Sequence, residues 1–508
     1  MSSIVNVQII PKKALPLPAV YAALGMAVSY YAYPLLVSIG LFPLLGLLIL
    51  SVIAVCFLRV LRYSQGIDLL TVQKAGILIT AAAVGISLGI ASRRSVGSSA
   101  LGLPAESITA VSGILLEDPR TLQGGSGLGV MELKYCTARG GLRASAQGTI
   151  TVFFPSESIP RLKEFGRGCE IYTDGIYTSG PGAAGDRGPL FRASSVHIVT
   201  PAPAMEQFRT GLRITLIDKF QGRTPNIWGS LASALLLGVR DDLDIELSNG
   251  FRNAGCSHIL ALSGMHLAIL SGVLAFLLRR PLGLKWASLI GAVFIVFYVF
   301  VAGSQPSLVR AAIMYLIGTF CLWGFLKRNP LSLLGIAFII QLVFQSEMGL
   351  SYSFILSYLA LAGILTLGVI FHSLSRGRLP EILSAGLSAS IGAFIVTAPV
   401  VILFFGTLRP IGVLVGLILA PLSSLFMVLA LAALGVSFLP FPLWNVFDFL
   451  LFWLYRLLEF LVTLAGRFPG ISISKPVPVL ISSILFWLLI LFIQKRDEAY
   501  RNSIASFN

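Results

Sequence analysis

The sequence predicts a polytopic α-helical membrane protein of about 12 spans that carries a small external OB-like β-barrel domain, and three observations predict it. Of 508 residues, 56% are hydrophobic and only 12% are charged, which excludes a soluble globular protein. Apolar runs long enough to cross a bilayer recur in both halves of the chain. Between them, from Ile108 to Val199, the hydrophobic period falls from helical to two.

A helix rises about 1.5 Å per residue, so a hydrocarbon core about 30 Å thick needs roughly 20 apolar residues. Such runs lie at 14–36, 39–58 and 75–91, and again at 257–278, 284–304, 306–326, 330–347, 351–372, 382–405, 411–437, 443–466 and 477–494. Lys12 and Lys13 precede the first run as they would a secretory signal. That run is long, lacks a convincing small-residue cleavage site and is followed at once by another, so it reads as a membrane helix. The chain therefore divides into three amino-terminal membrane helices (1–91), a β domain (92–204), an amphipathic interfacial helix (205–224), a second membrane domain (225–496) and a cytoplasmic tail (497–508).

Orientation follows from Lys and Arg in short loops, which stay on the cytoplasmic side. Lys12, Lys13, Arg59, Arg62 and Lys74 place the amino terminus and second loop inside, leaving 92 to about 204 outside. Arg279, Arg280 and Lys285, then Lys327 and Arg328, then Arg376 and Arg378, fall on every second later connection, as do Lys495, Arg496 and Arg501 at the carboxyl end. The net charge of +15 is thus mainly a topology signal rather than a nucleic-acid surface. Both termini are therefore expected on the cytoplasmic side.

In the β domain, "ITAVSGILLE", "GVMELKYCTA", "GTITVFF", "CEIYTDGIYT" and "RASSVHIV" alternate and are separated by Gly, Pro, Asp and Ser clusters. Five short strands suggest an OB-like barrel, with "SESIPRLKEF" as a helix between the third and fourth. Such barrels can hold single-stranded nucleic acid on a basic, aromatic face. Here Arg139, Arg143, Arg161, Lys163 and Arg167 are offset by nearby acids, and Tyr135, Phe153, Tyr172 and Tyr177 read better as core. Cys136 and Cys169 are the two cysteines of this segment. An external compartment permits a disulfide between them, and the residues alone leave the bonded and reduced forms open.

Residues 205–221, "MEQFRTGLRITLIDKFQ", space Met205, Phe208, Leu212, Leu216 and Phe220 helically, which predicts a helix lying on the outer membrane surface. The next segment, "WGSLASALLLGVRDDL", is too short to span comfortably and reads as a re-entrant or cavity-lining element.

The chain has four histidines, and two of them, His258 and His266, flank "ILALSGM" at the mouth of an apolar run. Eight positions place them about 80° apart on one straight helix, so they would not share a metal ion, and no third ligand is in view. Ser263 and His266 share a face, yet no nucleophile elbow or orienting carboxylate accompanies them, which argues against hydrolase chemistry. No cofactor and no metal site is expected, and the chain is not read as an enzyme. The more economical feature is Arg310 in "AGSQPSLVRAAIMYL". A guanidinium inside a membrane helix costs at least about 2.5 kcal/mol, so it faces either a bundle interior or, by snorkelling, the interface. Ser304, Gln305 and Ser307 lead up to it and Pro306 starts its helix, a run of donors resembling an entrance for something anionic.

The blocks "ALLLGVRDDL", "FRNAGCSHILALSGMHLAIL", "FYVFVAGSQPSLVRAAIMYLIG", "SFILSYLALAGI" and "LILAPLSS" resemble, in order and spacing, the membrane domain of the ComEC competence-protein family. The resemblance covers roughly 225–450, and three spans followed by a small β domain are similar to the family's amino-terminal half. It implies a channel for single-stranded DNA during DNA uptake. The matching positions are Gly238, Arg240, Phe251, Gly255, His258, Ser263, Gly264, His266, Gly303, Pro306, Ser307, Arg310, Ser357, Gly363 and Pro421. Cys256, Ile355, and Val415 or Gly416 stand where the family is more polar, which implies a less polar pore. Many members append a metallo-β-lactamase-like domain. No histidine follows His372 in this chain, so no nuclease of its own is expected and a separate nuclease would be needed for strand degradation. No ATP-binding loop is visible either, which implies a separate cytoplasmic ATP-driven motor, together with external DNA-receptor or pilus components. The alternative reading is an orphan relative serving as a small-solute transporter or membrane assembly component; an intramembrane hydrolase using Ser263 and His266 ranks below it.

Overall fold

A computed structural model describes residues 19–20, 22–27, 30–31, 100–101, 103–122, 124–178, 190–221, 227–326, 329–437 and 444–472. The spans expected at 39–58, 75–91 and 477–494 lie outside the described residues, as does most of the one at 14–36.

Alternation closes the β domain into a barrel. Its strands are β1 (Ile108–Leu115), β2 (Gly127–Ala138), β3 (Arg143–Gln147), β4 (Thr149–Phe154), β5 (Glu170–Thr178) and β6 (Leu190–Thr200). β1 pairs antiparallel with β2 and β5, β2 with β4, and β5 with β6, and a parallel β4–β6 pairing shuts the ring. Period two is literal in β4, where Ile150, Val152 and Phe154 point inward to meet Val111, Met131, Ile171 and Phe191. At Gly113 the ring is so tight that a Cβ would lie 2.0 Å from the Glu132 carbonyl oxygen. Helix α1 (Ile159–Phe165) follows β4, as expected, and closes the barrel with Ile159 and Leu162.

Cys136 and Cys169 are buried in this core and are not joined. Cys136 pairs across to Val111 on β1, while Cys169 immediately precedes β5, on the other side of β1, where its carbonyl accepts from Leu115. Two strand spacings, about 9.5 Å, separate the two lines, beyond the Cα separation of about 7 Å that a disulfide tolerates. The disulfide left open by the sequence is therefore absent. Burial pushes the Cys169 thiol up to about 11.

Helix α2 (Ala204–Gln221) joins barrel to bundle, and here the expectation of a surface-lying helix needs amendment. Met205 and Phe208 are exposed, but the arginines turn inward. Arg209 is 1% exposed, donating to Asp118 Oδ1 at 2.6 Å and to Glu206 at 2.8 Å. Arg167 closes the group with two bonds to Glu206 at 2.8 and 2.9 Å. Buried guanidinium groups need such carboxylates more than they need the lipid surface.

The bundle comprises α3 (Gly229–Leu237), α4 (Ile245–Asn253), α5 (Ser257–Leu260), α6 (Gly264–Ala302), α7 (Pro306–Trp323), α8 (Pro330–Phe344), α9 (Tyr352–Gly363, continuing to Ser375), α10 (Glu381–Phe405), α11 (Ile411–Val436) and α12 (Trp444–Gly466). Among the described residues six helices are long and apolar enough to cross a membrane, with α8 shorter, so this is a multi-pass membrane protein. α6 contains two of the expected spans. Its 39 residues are broken at Gly283 (φ 75°), just after Pro281, and both of its ends lie beside the start of α7, so the chain has doubled back there. Arg279, Arg280 and Lys285 flank the break.

α3, apolar on every side, is buried from Leu231 to Leu237 at the centre of the largest core cluster, consistent with an internal element rather than a span. Near the amino terminus, Met26 and Tyr30 pack against Leu334, Phe338, Leu342 and Phe354, and Tyr31 donates to the Gly349 carbonyl at 2.7 Å.

Candidate polar lining of the membrane bundle

Helix α6 begins at Gly264, well inside the apolar run that opens at 257. Ser263 is extended (φ −133°, ψ 172°) and caps the helix: its hydroxyl accepts from the His266 N–H while the His266 ring reaches back to the Ser263 backbone. His258 and His266 therefore stand on separate elements, α5 and α6, and the 80° argument for a single helix does not apply. His266 Nδ1 accepts from the Ser263 N–H at 3.1 Å and lies 2.8 Å from its hydroxyl. That nitrogen must be bare, so the proton of a neutral ring sits on Nε2. His266 is 0% exposed, and Nε2 meets no hydrogen-bond partner among the described residues. The Ser263–His266 contact is thus the geometry of a helix cap, and the ring's other face is an unused donor.

Arg310 occupies the first turns of α7, where Pro306 supplies the initial residue. It is 8% exposed and faces the bundle interior, which decides against snorkelling. Nη1 donates to the Ser357 carbonyl on α9, the guanidinium carbon lies 5.7 Å from the centre of the Tyr358 ring, and Nη2 sits against Gly264, where a Cβ would approach it to 3.2 Å. Glycine at 264 lets the charge lie close against α6. Among the described residues no carboxylate pairs with Arg310, and neither its Nε nor the Ser357 hydroxyl has a partner.

The frame around this charge includes residues that do not stand out in the sequence. Tyr358 donates to Gln341 Oε1 at 2.8 Å, and Gln341, 1% exposed on α8, donates to the Pro306 carbonyl at 3.1 Å. Ser307 donates to the Leu262 carbonyl at 2.6 Å, binding the start of α7 to the chain before Ser263. A lone amide within "FIIQLVF" is the one sequence signal for Gln341.

Toward the barrel the lining continues. Gly238 (φ 71°) ends α3 and lies beside Gln305, whose amide nitrogen would be 3.4 Å from a Cβ there. Ser304 is exposed on the same connection. Arg240 and His258 are both solvent-accessible. Arg240 borders a cavity of about 520 Å³ whose other walls include Thr121 and Leu122 of the barrel, Ser248 and Asn249 of α4, and the acidic side chains of Asp241, Asp242 and Asp244. Burial, helped by the charge of Arg120, lowers its proton affinity from the usual arginine range. The structure thus sorts the expected residues into an outer group (Arg240, His258, Ser304) and an inner one (Gly264, Ser357, Arg310), with Ser263, His266, Gln305, Pro306 and Ser307 between or bracing them. Among the described residues no group of three or more His, Cys, Asp or Glu is placed to hold a metal ion.

Residues 235–497 match the family model described as Competence protein. A relative, ComE operon protein 3 of Bacillus subtilis (strain 168), is 26% identical over 279 residues, 53% of this chain and 34% of its own. An uncharacterised protein of Aquifex aeolicus (strain VF5) is 30% identical over 259 residues, 50% of this chain and 59% of its own. The match spans about a third of the first relative's length and somewhat over half of the second's. No solved structure matches. The family model covers more than half of the chain and includes both the capped histidine and the buried arginine: this chain belongs to the competence protein family.

Proposed function

We propose that the chain is a membrane channel passing single-stranded DNA across the cytoplasmic membrane during DNA uptake, with the barrel outside and both termini in the cytoplasm. The observation that carries this reading is Arg310: a guanidinium inside an apolar bundle, braced by neutral groups and left without a carboxylate among the described residues. An arginine kept only for packing would be expected to have an acidic partner. One uncompensated cation offers a passing phosphate a partial substitute for water. Many would bind a polyanion too tightly for it to move on, because each neutralised phosphate strengthens attachment.

The path runs from the cavity beside Arg240, past Ser304 and Gln305, to Arg310. Gly264 keeps the passage narrow-walled, and His266 Nε2 adds an uncharged donor. In this reading the chain is a conduit, not a catalyst. It works with a separate ATP-driven motor, an external DNA receptor or pilus, and a separate nuclease where one strand is degraded.

Internalisation of labelled DNA tests the reading. Deleting the gene abolishes protected intracellular label and restoring it brings the label back. Unchanged internalisation after deletion would leave the small-solute transporter or assembly role as the better account.

A further inference from the structure

Arg213, on α2, occupies a position that neither the polar lining nor the barrel fold accounts for. Its Nη1 donates to the carbonyls of Val301 and Ala302 at 3.4 and 3.2 Å, and its Nη2 to that of Leu237 at 3.1 Å. These are the last carbonyls of α6 and α3, groups that a helix end leaves without intrahelical partners. The same Nη1 lies 3.4 Å from Oδ2 of Asp118, in the loop after β1 of the barrel. One planar fork of donors thus ties two helix ends to a third body.

The residues just beyond those two helix ends give the contact its meaning. Leu237 is succeeded by Gly238 and Arg240, and Ala302 by Gly303, Ser304 and Gln305, the two connections that form the outer lining. Asp118 is in turn fixed within the barrel side of the joint: its Oδ1 accepts from the Arg167 N–H at 3.1 Å and from Arg209 at 2.6 Å. Lys163 and Thr121 of the barrel also reach the bundle, meeting Asp241 at 2.7 and 3.4 Å just after Arg240, but they touch neither helix end and nothing on the Gly303–Gln305 side.

We infer that Arg213 and Asp118 are positioning residues that hold the Gly238–Arg240 and Gly303–Gln305 connections in register with each other and with the barrel. A displacement of the barrel is thereby carried to the outer lining. The inference rests on the channel reading for its consequence, but the mechanical link itself stands on the geometry.

The test uses the full-length chain in membranes, with the native cysteines replaced by alanine and Ser304→Cys as reporter. The rate of labelling of that cysteine by a membrane-impermeant maleimide is measured without DNA. Asp118→Asn leaves Arg213 its three carbonyls, so a role limited to capping helices leaves the rate unchanged. The positioning role changes it by about threefold or more. Arg213→Gln changes it in the same direction, and the double variant adds little to either single one. Arg213→Lys, able to retain the charge but not the fork, is intermediate. Monodisperse elution in detergent is required of each variant, and Lys134→Ala, which breaks the Lys134–Glu170 pair wholly within the barrel, serves as the comparison.

Equal labelling rates in the parent, Asp118→Asn and Arg213→Gln overturn the inference, as does an additive double variant. DNA internalisation is scored in parallel. A labelling change without loss of internalisation preserves the link and removes the channel reading, whereas lost internalisation with unchanged labelling does the reverse.

Discussion

Two arginines are buried in the described structure, and their surroundings are opposite. Arg209, at the junction of barrel and bundle, is clasped by Asp118 and Glu206, with Arg167 completing the group. Arg310, in the bundle, has a backbone carbonyl, the face of a tyrosine and a glycine, with one nitrogen unoccupied. At the junction charge is matched by charge; in the bundle it is left in reserve. The difference separates an arginine that holds the molecule together from one that the fold must itself hold in place.

That contrast can be broken most forcefully by removing each charge in turn. Arg209→Met removes the charge shared by Asp118 and Glu206, leaving Glu206 with Arg167 and Asp118 with Arg213, and costs about 2–3 kcal/mol, the usual loss of hydrogen bonds to charged groups. Arg310→Met removes a buried charge that has no acidic partner among the described residues, and leaves stability unchanged or higher by about 1 kcal/mol. Denaturation of the purified protein in detergent compares them, and equal destabilisation by both would erase the distinction. A second measurement sharpens it through pH. Burial would raise the Asp118 and Glu206 carboxyls, but bonds from Arg209 and the charge of Arg213 at Asp118, and bonds from Arg167 and Arg209 at Glu206, outweigh it and hold both below their ordinary values of 3.8 and 4.5. A depressed native value contributes stability that is complete above the unfolded value and fades as pH falls through the native one. The melting temperature is therefore flat from about pH 5 to 8 and drops below about pH 4; Asp118→Asn flattens part of that drop.

Smaller effects belong to the frame and to the barrel core. Gln341→Leu strands the Tyr358 hydroxyl and costs about 1–2 kcal/mol, while loosening the ring beneath Arg310. Internalisation falls with it, and Gln341→Glu, which keeps an acceptor but adds an acid near the guanidinium, falls further because the charge is then paired. Reducing agent has the least effect: with no Cys136–Cys169 bond it leaves the melting temperature within about 1 °C, and a maleimide at pH 8 spares Cys169, whose thiol is held protonated by burial. Two more alkylated thiols in the denatured protein with prior reduction than without it, mapped to Cys136 and Cys169, would contradict the barrel's strand order.

Much of this architecture is readable from the sequence because length and period are local properties. The runs at 382–405 and 443–466 become Glu381–Phe405 and Trp444–Gly466 almost unchanged, and alternation in "GTITVFF" and "CEIYTDGIYT" gives two barrel strands. The start of α6 is hidden because its cap lies inside an apolar run and uses a histidine where a capping box usually has Glu or Gln. Arg310 is legible as a misfit in its surroundings. Its frame is not, since Gln341 and Tyr358 acquire roles only when α7, α8 and α9 meet. The joint is least legible: Asp118 and Arg209 are 91 residues apart, and nothing in "LLEDPR" or "MEQFRTGLR" announces the partner. Helical spacing suggests a surface for α2, and tertiary charge pairing turns its arginines inward.

The most direct test of the central claim, that Arg310 offers its unneutralised charge to passing DNA, is internalisation of labelled DNA by cells expressing the intact chain, Arg310→Lys or Arg310→Gln at matched protein level. The account predicts that Arg310→Gln lowers internalisation by about a hundredfold with the protein still folded, and that Arg310→Lys, a charge without the fork, retains an intermediate rate. Full internalisation by a well-folded Arg310→Gln protein would contradict it.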